Sequence, residues 1–226
     1  MGTQYTLRFV NNSQVTAQAC VYQTDPDIGV PGVMSVAWFA KGAAPTTRIA
    51  FSWEIDYSFV WSEIGTLAAG VMFDASQVWD ADLSATNQVT FTHEGGIYTF
   101  ENQHSGPHPG SLYVLEDSKL PHNQAAVGIG VSGRPAYVVQ AMPNWNLCFT
   151  PKPKYWITFG NFDEGEVLDV QSISHKAEIQ FQPNIYSMTA ILNPDNSWTV
   201  KPTSEVNALF LAARGRGQDV RWGQLE

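Results

Sequence analysis

A chain of 226 residues with 44% hydrophobic and 12% aromatic side chains has ample apolar area for a packed interior, which excludes intrinsic disorder. Its 12 basic and 21 acidic residues leave a net charge of −9 and a pI near 4.9, the wrong sign for nucleic acid or anionic membrane surfaces as partners. Charged residues are only 15% of the chain, against roughly 25% in ordinary soluble domains, so much of the surface is neutral and open to sugar binding or self-association.

At the start, Met1-Gly2-Thr3-Gln4-Tyr5 lacks the basic stretch and apolar run of a secretory signal, and nowhere do about 18 apolar residues follow one another, so a cytoplasmic location is expected. Tyr5, Leu7 and Phe9 then alternate with Thr6 and Arg8, the period of a half-buried strand, and Val15 to Val21 repeats the pattern beyond the turn formers Asn11-Asn12-Ser13. Asp25-Pro26-Asp27 and Val30-Pro31-Gly32 reverse the chain again.

The clearest signal runs from Ile49 to Phe59: Ile49, Phe51, Trp53, Ile55, Tyr57 and Phe59 alternate with Ala50, Ser52, Glu54, Asp56 and Ser58. A period of two over that length predicts one ribbon with a buried face and a wet face. Val89-Phe91, Leu112-Val114, Tyr155-Ile157-Phe159 and Ala177-Ile179-Phe181 continue the theme, separated by Gly95-Gly96, Asn144-Trp145-Asn146 and Pro151-Lys152-Pro153; Asn193-Pro194-Asp195-Asn196 marks a further turn.

Helix is predicted only over Ser204 to Ala213, capped by Ser204 or Thr203, with Glu205 in the first turn and Arg214-Gly215-Arg216-Gly217 as its stop. The expected fold is all-β: an antiparallel sandwich over residues 1–203, with barrel-like closure or two half-sandwiches sharing a core also fitting. Residues 204–226 would form a short helix and tail packed on that domain or on a neighbour.

Chemistry is harder to place. His93, His104 and His108 fall close together, and three imidazoles that converged could hold zinc or copper. His104 and His108 lie in a Gly-Pro loop without the convergence a helix provides, so solvated loop histidines are the simpler reading. Gly128-Ile129-Gly130-Val131-Ser132-Gly133 spells a dinucleotide-loop pattern, but Arg134-Pro135 and another strand follow it, so glycines at close strand approaches are expected and no cofactor is implied.

Glu54 and Asp56, two apart on one predicted strand, have a spacing compatible with paired hydrolase carboxylates, though alternate polar positions are ordinarily a solvent face. Asp163, Glu164, Glu166 and Asp169 form an acidic turn without calcium-loop spacing. No nucleophile elbow occurs, and Cys20 and Cys148 are expected as two buried thiols. Trp145, between Asn144 and Asn146, is the best platform for a sugar or a partner surface, a flat indole beside amide donors and acceptors.

Ala19-Cys20-Val21-Tyr22-Gln23, Asp25-Pro26-Asp27, Ser35-Val36-Ala37-Trp38-Phe39-Ala40-Lys41, Phe51-Ser52-Trp53 and Tyr155-Trp156-Ile157-Thr158-Phe159-Gly160-Asn161-Phe162 together resemble the RhiA family of rhizosphere-induced bacterial proteins. The likeness runs from Tyr5 to Val200 and leaves out the Arg-Gly tail. It implies an abundant cytoplasmic protein made under cell-density control during plant association, and it transfers no catalytic or binding residue. The expectation is a non-enzymatic protein acting by self-association, as a homo-oligomer, or by ligand binding; a carbohydrate-binding module and a metal-dependent enzyme using the three histidines are its rivals.

Overall fold

The structure, a computed structural model, describes residues 3–25 and 27–224. Met1, Gly2, Pro26 of the expected Asp25-Pro26-Asp27 turn, and Leu225 and Glu226 of the expected tail lie outside the described residues.

The chain begins with β1 (Gln4–Asn11), β2 (Ala17–Thr24), β3 (Met34–Ala43), β4 (Arg48–Glu54), β5 (Tyr57–Ser62) and β6 (Gln77–Ala81). It continues with β7 (Gln88–Glu94), β8 (Ile97–His104), β9 (Leu112–Glu116), β10 (Ala126–Val131), β11 (Arg134–Gln140) and β12 (Asn146–Phe149). Then come β13 (Lys154–Gly160), β14 (Val167–Leu168), β15 (Lys176–Ile179), β16 (Ser187–Leu192), β17 (Trp198–Pro202) and the helix α1 (Thr203–Gly215).

A 9-stranded sheet in the order β15-β13-β2-β3-β11-β10-β5-β6, with β14 added beside β3, is the backbone of the fold. Two 4-stranded sheets, β17-β16-β1-β4 and β12-β9-β7-β8, pack against it. The first covers one half: Phe39 of β3 lies 5.8 Å from Phe51 of β4, and Tyr155 of β13 lies 5.4 Å from Trp53. The second covers the other half, where Trp61 of β5 lies 5.7 Å from Phe91 of β7 and Phe59 6.1 Å from Phe100 of β8. One buried apolar cluster runs through both halves, so the architecture is two half-sandwiches sharing a sheet and a core. Every named strand pair is antiparallel except β1 with β16 and β7 with β9.

The opposite face of the large sheet is also covered. Val36, Val60, Phe73, Ala126, Val138 and Val167 form one small core there, and Cys20, Tyr22, Ala37, Leu168 and Ile173 form another. Strands beneath both covers are buried on both faces, which explains why β5 and β10 read as apolar runs more than as alternations.

The long ribbon expected from Ile49 to Phe59 is corrected here: it is two strands in two different sheets. β4 keeps the alternation, with Phe51 and Trp53 buried and Ser52 exposed, and ends at Glu54. Ile55 is 45% exposed at the corner, after which β5 pairs with β10 and β6. The second strand also starts later than its pattern suggested, at Ala17, leaving Val15 exposed.

The glycine-rich run joins β10 to β11 as a hairpin, with Ser132 at φ 54° and Gly133 at φ 70° making the turn. A Cβ on Gly128 would stand 1.9 Å from the carbonyl oxygen of Tyr137, so the backbones meet where only glycine fits. Gly128→Ala is expected to destabilise the fold by about 1–3 kcal/mol through overpacking, measured as a lowered midpoint in urea.

α1 begins one residue earlier than expected, and the cap is not the expected one. Pro202 is the N-cap residue and no side chain caps the helix. The Thr203 hydroxyl instead bonds to Ser187 Oγ and Thr189 Oγ1, each at 2.9 Å, tying the helix start to β16. The helix also runs two residues past the expected Ala213, to Gly215, with Arg214 in the last turn and Gly217 at φ 77° beyond its end.

Several sheet edges are plugged by side chains. Lys41 Nζ donates to the Ala50 carbonyl of β4 at 2.6 Å, and the Gln77 side-chain oxygen accepts from the Phe100 amide of β8 at 3.1 Å. Gln103 Nε2 donates to the Asp80 carbonyl of β6 at 2.6 Å. Each such contact takes up one edge group on β4, β8 or β6 that could otherwise pair with an added strand.

Candidate functional site

Trp156 is placed by its phase in β13. Tyr155 and Ile157 point into the shared core, so Trp156 emerges on the far face of the 9-stranded sheet, beside its β2 partner Tyr22. The chain from β13 to β15 folds back over that face through β14, whose Leu168 pairs with Ser35 of β3. The fold-back leaves a cleft of about 600 Å³, with Thr24, Lys154 and Trp156 on one side, Met34, Ser35 and Ala69 on the other, and Asp169 and Gln171 on the returning segment.

Most polar groups of the cleft are held by hydrogen bonds, to one another or to the surrounding backbone. Trp156 Nε1 donates to Thr24 Oγ1 at 2.8 Å, and Lys176 Nζ lies 5.4 Å from the centre of the indole, so the ring is held in one orientation. Ser35 Oγ donates to the Gln23 carbonyl at 2.6 Å. Asp25 is buried, one carboxylate oxygen accepting from the Asp27 amide at 3.1 Å and the other from the Lys152 amide. Tyr137, also in the lining, is fully buried, and its hydroxyl has no hydrogen-bond partner. Burial, followed by the charge of Asp25, pushes that phenol far above its ordinary range, so it stays protonated as a donor. Lys154, Asp169 and Gln171 are exposed at the rim.

This arrangement combines an aromatic wall, apolar patches from Val33, Met34 and Val170, and a rim with a cation, an anion and an amide. It suits a small neutral ligand rich in hydroxyls: C–H faces lie on the indole and hydroxyls meet donors and acceptors at the rim.

The sequence-predicted residues lie elsewhere. Asn144 and Trp145 on the turn before β12 and Asn146 at its first position are all exposed, with Asn144 at φ 63° and Trp145 at 40% exposure, and none of them lines the cleft. The histidines are not brought together. The His93 ring lies against Tyr98, tilted by 41° with centroids 4.3 Å apart, near the β7–β8 turn, while His104 pairs with Gln88 at the other end of the hairpin, about five residues or 17 Å away at a strand's rise. Gln88 Nε2 donates to His104 Nε2 at 3.1 Å and His104 Nδ1 donates to the Asn102 carbonyl at 2.6 Å, which occupies both ring nitrogens. His108 is exposed in the loop held by Asn87, whose Nδ2 donates to the His108 carbonyl. Among the described residues, no group of three His, Cys, Asp or Glu side chains could hold a metal ion.

Glu54 and Asp56 do not share a strand, since Asp56 falls past the corner that ends β4. In the acidic turn, Glu164 pairs with Arg134 and Glu166 Oε2 accepts from the Asp163 amide, while Asp169, in the lining of the cleft, accepts from the Gln171 amide through Oδ1 at 3.2 Å. Both cysteines are free: Cys20 is buried and Cys148 half-buried. Burial, then the charge of Glu166, raises the Cys20 thiol well above its ordinary value, so it is unreactive.

Sequence reading passed over the cleft because its walls come from residues 24 to 171. One signal was available: with Tyr155, Ile157 and Phe159 in the inward phase, a tryptophan at 156 had to stand on the opposite face.

Comparison with known proteins adds the lineage. Residues 2–203 match the family model described as RhiA. The chain is 38% identical over 204 residues to "Protein RhiA" of Rhizobium leguminosarum bv. viciae, covering 89% of this chain and 87% of that relative. No solved structure matches. The family match ends at Thr203, where α1 begins. Among the described residues, no helix is long and apolar enough to cross a membrane.

Proposed function

The chain belongs to the RhiA family, and we propose that it is a non-enzymatic binding protein of plant-associated bacterial physiology that takes a small neutral polyhydroxylated ligand, such as a monosaccharide, into the Trp156 cleft. The observation that carries this reading is the cleft of about 600 Å³, walled by an indole held at Thr24 and rimmed by Lys154, Asp169 and Gln171. Its volume lies within the range of ordinary small-molecule sites.

Isothermal titration against glucose, galactose, mannose, xylose and inositol tests it. At least one of these is expected to bind saturably, with Trp156→Ala and the exposed rim variant Asp169→Asn each weakening it at least tenfold, a loss of about 1.4 kcal/mol or more. Trp145→Ala is expected to leave the affinity unchanged. Absence of saturable binding across the panel, or binding lost in Trp145→Ala and retained in Trp156→Ala, sinks the proposal.

A further inference from the structure

The outer face of the sheet β17-β16-β1-β4 carries an unusual concentration of positive charge for so acidic a chain. Arg8 stands opposite Ala50 and Arg48 opposite Val10 across the β1–β4 pair, which makes the two guanidiniums diagonal neighbours on one face, about 7–8 Å apart at their roots. Neither forms an ion pair with a carboxylate among the described residues. Lys201 follows in the same cross-strand row through Thr189, its charge paired with Glu205 of α1. With Arg214, Arg216 and Arg221 of the C-terminal segment, six of the chain's 12 basic residues belong to this face or to the segment laid along it.

That segment completes a cavity. Val206 anchors α1, and Gly223 packs on Val10 while its carbonyl accepts from Asn12 Nδ2 at 2.8 Å. Between these anchors Trp222 stacks on Arg48 at 5.5 Å, and its Nε1 donates to Asn207 Oδ1 at 2.7 Å. The open groove between them, about 400 Å³, is lined by Arg8, Arg48, Ile49, Ala50, Asn207 and Trp222.

We propose that this cavity binds a small oxyanion, a carboxylate or phosphate group, clamped between Arg8 and Arg48. The side-chain oxygen acceptor in the lining, Asn207 Oδ1, is engaged by Trp222, and the charged groups of the lining are the two guanidiniums with no carboxylate among them. Arginine forks match carboxylate and phosphate oxygens in pairs, and two like charges placed side by side are stabilised by an anion between them. Asn207 and Trp222 lie beyond the residues that the family model matches, so the site depends on a segment outside the common fold.

Titration of the full chain with inorganic phosphate and, separately, with citrate, at low ionic strength, tests the assignment by calorimetry and by the Trp222 indole N–H resonance, identified through Trp222→Phe. Saturable binding of one or both anions is expected, shifting the Trp222 resonance and weakening at least tenfold in Arg8→Gln and in Arg48→Gln. Both arginines are exposed, so these variants keep the fold, while Lys119→Gln, remote from the cavity, keeps the affinity. Phosphate alone responding assigns a phosphate guest and citrate alone a carboxylate. No saturable response to either, or binding that survives both arginine substitutions, overturns the proposal.

Discussion

Trp53→Ala is expected to lower the free energy of unfolding by about 3–5 kcal/mol, the cost of a large aromatic truncated in a packed core. Trp53 is buried where the β17-β16-β1-β4 sheet meets the large sheet, and its ring lies 5.1 Å from Trp38, 5.4 Å from Tyr155 and 5.7 Å from Phe181. Those neighbours come from β3, β13 and the chain after β15, each braced by its own strand, so the space cannot collapse freely. Urea denaturation measures the effect as a fall in midpoint at unchanged slope. Trp145→Ala, removing an exposed ring, is the contrasting case and should change stability by no more than about 0.5 kcal/mol. A loss below about 1 kcal/mol for Trp53→Ala would mean that the two sheets do not share the interior described.

The second large effect depends on pH. Glu116 ends β9 with 5% exposure; its Oε2 accepts from the Met142 amide at 3.2 Å, and its Oε1 has no partner. Burial pushes its carboxyl from an ordinary 4.5 up to about 8, the Met142 amide opposing this only in part. The folded state therefore holds a proton that the unfolded chain releases. The stability associated with it is fully present below about pH 4.5 and is lost progressively as the pH rises towards 8 and beyond. At pH 9 the loss is on the order of 4 kcal/mol.

Glu116→Gln, which keeps the shape and stays neutral, should abolish this component. The variant is expected to gain on the wild type between pH 5 and pH 9, most at the alkaline end, in parallel urea titrations. The local consequence concerns the turn at Asn144 and Trp145. The Glu116 amide donates to the Trp145 carbonyl and its carbonyl accepts from the Asn144 amide, so the ionising group is bound to that turn by its own backbone. Equal pH dependence in wild type and variant would contradict the account.

Much of the fold was legible because strand periodicity is local. Phe51 and Trp53 declared their buried face through Ser52 and Glu54, and Tyr155, Ile157 and Phe159 did the same for β13. The glycines at 128 and 130 announced a close approach of strands by the Arg134-Pro135 and strand that follow them. The corner at Ile55 was invisible, because a change of sheet need not interrupt alternation, and only the partners β10 and β6 reveal it.

Glu116 was legible and went unnoticed: it shares the phase of Leu112 and Val114, which marks it for burial. The α1 cap failed for a nonlocal reason, since the hydroxyls of Ser187 and Thr189 compete for Thr203. Of the proposed cleft, sequence pattern pointed to Trp145, which does not line it. Trp145 advertised itself by its flanking amides, whereas Trp156 is distinguished by the segment that folds over it, 13 residues later at Asp169.

The most direct test of the binding reading is the indole region of the ¹H–¹⁵N spectrum during titration with the five neutral polyols named above. In the free protein the Trp156 N–H is bonded to Thr24 Oγ1, so a guest on the ring must disturb that resonance. The account predicts a saturable shift of Trp156 with at least one polyol while Trp145 stays fixed. A Trp156 signal that ignores every polyol, or a response confined to Trp145, would contradict it.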